Sequence, residues 1–394
     1  MFPGAKVKEL TKSLIVDNGH AIYICPTRFL KRDYGKALRH FIRQNLALVE
    51  IVDFGDKQNF ENAMTYTGIF MFRASNDSDN NIEYKQGLEE SPVIFSPNKL
   101  NQEVWNFSMS NNDDLLEKIQ HEKKYLIDLC DGIYQGIATG KDNVFLVDGN
   151  IILSHDIERG ILRPFLKGKN IRPYTIEWGG LYLIYPYDEN GNVISEQFFK
   201  SHYPNAYQYM LDNKDNLKGR SYFDKSSKAW YELWNQRKPT RFEGEKIVTL
   251  DNASCNSFAL DINGFFGTTT VYSLKIISDD GLNNKYVLGV LNSKLLNYYH
   301  RNTSVPQAGG FFRYQALFIK NLPIASANET IVNRISKCVT EILLGKKQNA
   351  DTTSLENQID FLVYHLYGLT YDEVLKVDPE TPISREEYEA YKEE

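Results

Sequence analysis

A glycine-rich stretch that ends in a lysine is the first feature with chemical potential. The segment GIYQGIATGKDNVFLV runs from Gly132 to Val147. Backbone N–H groups in such loops can hold phosphate, and a P-loop needs G-x-x-x-x-G-K followed by Ser or Thr. Here Gly136 and Gly140 are one residue too close together, and Asp142 follows Lys141. The spacing argues against a nucleotide site. Two interpretations remain open, a turn between two strands or a loop that approaches another ligand.

Residue types used in metal, hydrolytic and nuclease sites occur without the spacing that these sites need. The seven histidines form no H-x-x-x-H pair, and the chain has no G-x-S-x-G sequence. The run Glu243-Gly244-Glu245-Lys246 contains E-x-K, a nuclease pattern, but no Pro-Asp partner with strand context precedes it. We therefore predict no metal site and no complete catalytic site in this chain.

Basic and aromatic side chains alternate between Asn213 and Lys246, with nine basic against five acidic residues. The basic residues are Lys214, Lys218, Arg220, Lys225, Lys228, Arg237, Lys238, Arg241 and Lys246. The aromatic residues are Tyr222, Phe223, Trp230, Tyr231, Trp234 and Phe242. Basic side chains follow phosphates and aromatic rings contact sugars or bases, so this composition is typical of a nucleic-acid surface. The alternative is a solvated loop whose aromatic residues extend the core.

Charge is distributed unevenly along the 394 residues. The net charge is −6, but Asp351–Glu394 carries 12 acidic and three basic residues, so the rest of the chain has a net charge of +3. No apolar run has the length of a membrane span, and the N-terminus lacks the apolar core of a signal peptide. The four cysteines form no C-x-x-C pair, which is typical of reduced thiols. We expect a globular cytoplasmic protein of two or three domains.

Residue patterns predict a mixed α/β protein. Strands are expected at His20–Cys25, Leu48–Asp53 and Thr65–Phe72, and the face shared by Tyr34, Leu38, Phe41 and Ile42 predicts a helix between the first two. Leu115–Leu129 is predicted to be helical. Short β-runs dominate from Gly132 to Ile277, and helices are expected after Gly281, at Ser326–Gly345 and at Leu355–Leu366.

Several segments, in this order, resemble one family of enzymes. They are GHAIYICPTRFLKRDYGKALRHFI (19–42), VEIVDFGDKQNFENAMTYTGIFMF (49–72), GIYQGIATGKDNVFLV, LRPFLKGKNIRPY (162–174), LNSKLLNYYHRNTSVPQAGGFFRYQALFIKNLPI (291–324) and FLVYHLYGLTYDEV (361–374). The family is the gamma-class adenine-specific DNA methyltransferases, which includes TaqI-like enzymes and type IIG restriction–modification fusions.

The resemblance implies a domain order and a function. Residues 1–75 would be the late part of a Rossmann-like catalytic domain and 76–114 a connector. Residues 115–325 would be a β-rich target-recognition domain and 326–394 a helical acidic tail. The implied function is sequence-specific recognition of double-stranded DNA for a methylation or restriction system. A competing hypothesis is a catalytically inactive module that binds a protein partner or a glycan.

The same resemblance implies S-adenosylmethionine as cofactor of a full enzyme. Family members hold it with a Gly-rich loop and hold the flipped adenine with Asn-Pro-Pro-Tyr, and neither motif occurs in this sequence. Both would precede Met1, as would the nuclease domain of a type IIG fusion. We therefore expect this chain alone to bind no cofactor and to transfer no methyl group. The missing N-terminal methyltransferase or nuclease part is an expected partner.

Nine side chains are candidates for the DNA site. Phe60 matches the family position whose aromatic ring stacks on the flipped base, with a role in the core as the alternative. Four residues of glycine-punctuated segments are expected to contact phosphates, namely Lys141, Lys167, Lys169 and Arg172. Four residues near turns are expected to read base edges, namely Arg237, Arg241, Gln307 and Arg313. Phosphate contact is the alternative for these arginines, and a simple turn is the alternative for Gln307.

Overall fold

The computed structural model describes residues 15–55, 66–74, 81–101, 105, 107, 113–220, 223, 226–277 and 281–391. Two compact units divide the chain. The first comprises Met1–Lys118 with Val305–Gly309, and the second comprises Ile119–Ser304 with Gly310–Glu394. The described residues form twenty strands and thirteen α-helices. The predicted mixed α/β class is confirmed, whereas the predicted division at residues 75, 114 and 325 stays a prediction.

A five-stranded sheet forms the centre of the first unit. Its elements are β1 (His20–Pro26), α1 (Lys36–Asn45), β2 (Ala47–Asp53), β3 (Thr67–Arg73), β4 (Ile82–Lys85) and β5 (Val93–Phe95). The strand order is β1-β3-β2-β4-β5, and β2 with β4 is the parallel pair. Phe70 and Phe72 of β3 pack with Ile42 of α1, which forms the core on one face of the sheet. The three predicted strands and the predicted helix are confirmed here.

A short helix follows along the chain where a long one was predicted. Helix α2 spans Asp113–Gln120, and β6 (Lys124–Tyr125) follows it. Glu122 has a φ of 56°, which interrupts helical geometry. The N–H of Leu126 donates to the carbonyl of Leu322 at 2.9 Å, so this backbone pairs with a distant segment. The prediction of a helix to Leu129 was wrong because the sheet partner of this segment is distant in sequence.

Two four-stranded sheets and three further short strands form the β-rich part of the second unit. Its strands are β7 (Cys130–Gln135), β8 (Leu146–Val147), β9 (Leu162–Leu166), β10 (Ile171–Arg172), β11 (Thr175–Ile176), β12 (Tyr182–Ile184), β13 (Lys246–Leu250), β14 (Asn252–Ala253), β15 (Phe258–Asp261), β16 (Phe266–Gly267) and β17 (Val271–Ile276). The sheet orders are β16-β9-β12-β8 and β15-β13-β17-β7. The turn between β16 and β17 therefore joins one sheet to the other.

Helices pack beside these sheets. They are α3 (Asp142–Phe145), α4 (Gly149–Ser154), α5 (Glu196–His202), α6 (Pro204–Asp212), α7 (Asn284–Asn292) and α8 (Lys294–Thr303). The helix predicted after Gly281 is thus two helices. Ser293 lies between them with extended backbone, and its hydroxyl accepts the N–H of Leu296 as the N-cap of α8.

The last part of the chain begins with three short strands and one short helix and is helical from Glu329 onward, as predicted. It contains β18 (Pro306–Gln307), β19 (Phe311–Arg313), α9 (Ala316–Ile319), β20 (Pro323–Ile324), α10 (Glu329–Lys347), α11 (Thr353–Leu366), α12 (Tyr371–Val377) and α13 (Arg385–Ala390). Each of α10, α12 and α13 begins at an Asn, Thr or Ser whose side chain accepts a backbone N–H. These caps explain why the helices begin where they do.

Candidate nucleic-acid interface

The turn Gly267–Thr270 connects two of the predicted DNA-binding segments. Ile137 donates its N–H to the carbonyl of Gly267 at 2.7 Å, and Gln135 Nε2 donates to the carbonyl of Thr269 at 2.8 Å. On another side, Thr268 donates its N–H to the carbonyl of Leu166 at 3.0 Å. Segments that lie far apart in sequence therefore meet at one turn.

Gly136 lies so close to this turn that no side chain fits. A Cβ atom there would collide with the carbonyl oxygens of Gly267 and Thr268. These are backbone atoms of a paired segment, so they cannot move aside cheaply. This answers part of the question about the glycine-rich stretch. Gly136 allows the backbone to pack closely after the edge strand β7, and it does not form a turn between two paired strands.

The same stretch is bonded to the basic segment. Ala138 and Asn235 exchange backbone hydrogen bonds of 3.2 and 2.9 Å, and the N–H of Trp234 donates to the carbonyl of Thr139 at 3.1 Å. Lys141 follows this bridge and is partly exposed at the start of α3. Trp234 to Arg241 therefore lies beside the glycine-rich stretch.

The lysines at 167 and 169 lie on a tight turn. Asn170 closes it, because its Oδ1 accepts the N–H of Lys167 at 2.8 Å. Arg172 Nη1 donates to the carbonyl of Lys169 at 2.9 Å, and its Nη2 lies 3.7 Å from Glu177. Arg172 thus stabilises the turn, whereas the lysine side chains extend from it.

This lysine turn also lies beside Gly267–Thr270. A Cβ atom on Gly168 would lie 3.2 Å from Thr270 Oγ1. Lys169 is exposed and Lys167 is partly exposed. The turn therefore presents positive charge next to the glycine-rich stretch, which is the arrangement expected of phosphate contacts.

Two arginines of the basic segment contact the end of β7. Arg237 Nε donates to the carbonyl of Gln135 at 3.3 Å, and its Nη1 donates to Asn235 Oδ1 at 2.6 Å. The guanidinium of Arg241 lies 4.7 Å from the centre of the Tyr134 ring. Burial and the charge of Arg241 lower the pKa of Arg237. Both side chains are therefore held in place at one edge of the sheet.

Arg313 is fixed by its backbone. Its carbonyl accepts hydrogen bonds from His300 Nε2 at 2.9 Å and from Ser304 Oγ at 2.7 Å, and β19 pairs with β14 through Asn252. Its Nη1 lies 3.9 Å from Asp251 Oδ2. Burial raises the pKa of Asp251, while the charge of Arg313 opposes that rise. Asp251 was not predicted as a partner of Arg313, because no local pattern links the two residues.

Gln307 lies in a short strand before two glycines. Its Nε2 donates to the carbonyl of Pro306 at 2.7 Å, and the side chain is partly exposed. Gly309 and Gly310 both have a φ of 77°, a conformation that favours glycine. These glycines therefore serve the backbone of the turn itself, and a role of Gln307 in base recognition stays a prediction.

The chain is similar to restriction–modification proteins. Residues 163–324 match the model of the TaqI-like C-terminal specificity domain, and residues 7–60 match that of the Eco57I restriction-modification methylase. The predicted resemblance is confirmed. We refer to residues 163–324 as the specificity segment.

Curated relatives extend the similarity over more of the chain. Type II methyltransferase M.BstVI of Geobacillus stearothermophilus is 22% identical, with 92% of this chain and 66% of that protein covered. Type II methyltransferase M.MjaIV of Methanocaldococcus jannaschii is 27% identical, with 58% and 76% covered. The chain thus spans about two thirds of the length of M.BstVI.

One solved structure shares the fold. It is the type IIL restriction-modification enzyme MmeI, determined in complex with DNA. The TM-score is 0.61 at 10% sequence identity, with 98% of this chain and 52% of that chain covered. This chain therefore corresponds to about half of that protein.

Many basic residues within the specificity segment have structural roles. Arg220 is buried, donates to the carbonyls of Leu217, Trp230 and Glu232, and lies 3.7 Å from the Phe223 ring centre. Lys246 is fully buried and pairs with Asp261. Lys218 pairs with Asp215 at 2.6 Å. Arg220 and Lys246 therefore do not belong to the predicted basic surface, and the charge of Lys218 is offset by Asp215.

The aromatic residues of the same segment belong mostly to the core. Phe223, Tyr231 and Phe242 are buried, and Trp230 donates its Nε1–H to Glu196 at 3.0 Å. The alternative weighed for this segment, that its aromatic residues extend the core, is correct for these four residues. Phe60 and Tyr222 lie outside the described residues.

The motif that holds the flipped adenine in the family this chain resembles does not occur in the sequence. The sequence contains no Asn-Pro-Pro followed by Tyr or Phe, so the residues present do not fit the adenine-binding motif implied for S-adenosylmethionine-dependent transfer. In the described ranges, no cluster of three or more His, Cys, Asp or Glu side chains could hold a metal ion. Within those ranges, no helix has the length and apolar character needed to cross a membrane.

Proposed function

We propose that this chain binds double-stranded DNA and recognises a specific sequence for a restriction–modification system in the cytoplasm. One observation carries the proposal. The glycine-rich stretch and the segment of Lys167 and Lys169 both bond to the turn Gly267–Thr270, and Trp234–Arg241 bonds to the glycine-rich stretch, so basic side chains distant in sequence lie near one another. A duplex presents regularly spaced phosphates and is a ligand that such a surface fits.

The recognition of bases is assigned to Arg313, with Gln307 as a separate candidate. Arg313 is held at its carbonyl and faces Asp251, which limits the directions its guanidinium takes. A preorganised guanidinium can discriminate guanine through its two acceptor atoms. Lys141, Lys167 and Lys169 supply contacts to phosphates, which position the duplex without reading it.

The similarity to methyltransferases supports a place for this chain in an enzyme that methylates adenine with S-adenosylmethionine. We infer that this chain alone transfers no methyl group. Labelled cofactor incubated with the purified chain and duplex DNA should leave the DNA unlabelled, and labelled DNA would contradict the inference.

In a reassembled enzyme, Phe60→Ala should reduce methylation much more than DNA binding. Equal losses would remove the stacking role of Phe60.

The decisive experiment is a binding selection over randomised duplexes. We expect the wild-type chain to enrich one sequence, with an affinity that falls steeply as salt concentration rises. Lys167→Ala with Lys169→Ala should weaken binding evenly across sequences and reduce the salt slope by about two. Arg313→Ala and Gln307→Ala should each relax the preference at one base position, by about 1–3 kcal/mol.

A matched control separates these effects from general loss of charge. Lys218→Ala removes an exposed lysine that is already paired with Asp215 and should change neither the affinity nor the preferred sequence. Failure to enrich any sequence would refute the proposal. Binding of a protein or glycan that does not depend on salt would favour the interaction-module hypothesis instead.

A further inference from the structure

Two guanidinium groups converge at the end of the edge strand β7. Arg237 reaches the carbonyl of Gln135, and Arg241 lies over the ring of the neighbouring Tyr134. They are near enough that the charge of Arg241 affects Arg237. Like charges repel, so a protein holds them together only where other contacts or a ligand compensate.

The contacts that hold them are specific. Tyr134 is oriented by its hydroxyl, which donates to the carbonyl of Asp131 at 2.8 Å. The ring lies directly over Gly132, where a Cβ atom would be 2.7 Å from ring atoms. The guanidinium of Arg241 lies over this ring, and a guanidinium held on a ring still carries N–H donors for a phosphate. Arg237 is held through Nε and Nη1, so its Nη2 remains for another acceptor.

No acidic side chain balances the pair in the part of the chain that the structure describes. Neither guanidinium forms an ion pair with a carboxylate of a described residue, in contrast to Arg172 with Glu177 and Arg313 with Asp251. Lys275 adds positive charge nearby, because its Nζ donates to the carbonyl of Thr240 at 2.6 Å. The site thus has oriented donors and an excess of positive charge.

We propose that Arg237 and Arg241 together bind one phosphodiester group of the DNA backbone. The planar guanidinium offers parallel donors that match phosphate oxygens, and two of them can share one phosphate. This inference rests on the proposed function, and it gives these arginines the role of phosphate contacts rather than the base reading expected from the sequence. Tyr134 and Gly132 act as positioning residues.

The first test uses the selected duplex with one neutral methylphosphonate linkage placed at each position in turn. Wild-type binding should weaken about tenfold or more at one linkage near the basic segment, as expected for loss of a charge-assisted contact. The variants Arg237→Ala and Arg241→Ala should show no further loss at that linkage. Because one phosphate is shared, the double variant should reduce the salt slope by about one rather than two.

The linkage scan has a matched control among the paired lysines. Lys346→Ala, which removes a lysine paired with Glu356, should behave like the wild type at every linkage. Tyr134→Ala should reduce the effect of the sensitive linkage without changing the preferred sequence, because it leaves Arg241 unsupported. A changed base preference in the arginine variants, with no change in the linkage scan, would overturn the inference in favour of base reading.

A second test does not depend on DNA. Phenylglyoxal modifies free guanidinium groups, and the extent of modification at each arginine can be measured by mass spectrometry. Inorganic phosphate should protect Arg237 and Arg241 but not Arg172. Protection by phosphate without any DNA binding would refute the proposed function and support the phosphate site. DNA binding without protection of these two arginines by phosphate or DNA would refute the phosphate site.

Discussion

The imidazole of His300 donates its Nε2–H to the carbonyl oxygen of Arg313 at 2.9 Å. Because a carbonyl only accepts, this bond requires the tautomer with the proton on Nε2. Burial lowers the pKa of His300 to about 4, so the ring is neutral near pH 7. The ring also packs against Tyr314, with centroids 4.1 Å apart. A buried neutral histidine thus fixes the backbone of a predicted base-reading residue.

Acid should therefore destabilise the protein in part through His300. A pKa lowered from 6.5 means that the folded state binds fewer protons than the unfolded state, so stability is full above about pH 6.5 and falls as pH decreases toward 4. The loss is roughly 3 kcal/mol for this fully buried residue. His300→Gln supplies an amide N–H donor that does not titrate. It should therefore remove this part of the pH dependence of the unfolding free energy measured in urea.

Its control is His121→Gln, which changes an exposed ring. That variant should retain the acid sensitivity of the wild type. His365, whose pKa burial also lowers to about 4, accounts for sensitivity that remains in His300→Gln. An unchanged pH profile in His300→Gln would show that this residue does not titrate as described.

Asp360 should have the opposite effect at higher pH. Its carboxylate accepts the N–H of Lys294 at 2.8 Å, and burial raises its pKa to about 7. Because the folded pKa lies above the ordinary value, stability is full below about pH 4 and decreases as pH rises through 7. Asp360→Asn keeps the acceptor oxygen and should be more stable than the wild type at pH 8, by up to roughly 4 kcal/mol.

Groups facing Asp360 set the size of that effect. The ammonium of Lys294 stabilises the carboxylate, whereas Asp378 and Glu356 oppose its ionisation. The exposed Asp351→Asn is the control, and its unfolding curve should match that of the wild type at pH 8. A less stable Asp360→Asn at that pH would mean that the charged carboxylate is favourable.

Gly136 should tolerate no side chain. Gly136→Ala places a methyl group against the carbonyls of Gly267 and Thr268, and overpacking of this kind costs about 1–3 kcal/mol. We expect lower stability in urea unfolding together with weaker DNA binding, because the bridge between Ala138 and Asn235 follows this residue. Gly149→Ala is the matched control, since nothing lies within 4 Å of its Cβ position. Equal stability of the two variants would contradict the close approach.

The buried pair of Lys246 and Asp261 should be costly to break on one side only. Asp261 also accepts the N–H groups of Asn263 at 2.8 Å and Phe265 at 2.9 Å. Lys246→Met leaves a buried carboxylate without its partner, and such changes cost about 3–5 kcal/mol. Calorimetric unfolding should show this loss, whereas Lys218→Met at an exposed pair should change stability by less than about 1 kcal/mol. Similar small losses in both variants would indicate that water compensates the buried charge.

Local patterns in the sequence were sufficient for most helices and strands of the first unit and for the helical tail. Alternation in β1 to β3 and helical spacing in α1, α10 and α11 depend on neighbouring residues, so they are visible in one segment at a time. This approach failed for the segment after Gln120, because the backbone of that segment forms hydrogen bonds with residues around Leu322. The segments that resemble TaqI-like enzymes indicated this similarity without any structure.

Composition alone could not distinguish surface charge from buried charge. Arg220, Lys246, Arg237 and Arg241 look equivalent in the sequence, yet the first two satisfy buried partners and the last two lie at the edge of a sheet. Burial is decided by which distant segments meet, and that follows from the order of strands in the two sheets. The sequence by itself therefore determined most of the local elements and the resemblance to TaqI-like enzymes. Only the tertiary structure decided which basic segments lie beside one another, because the turn Gly267–Thr270 bonds the glycine-rich stretch to Leu166, and Trp234–Arg241 bonds to the same stretch.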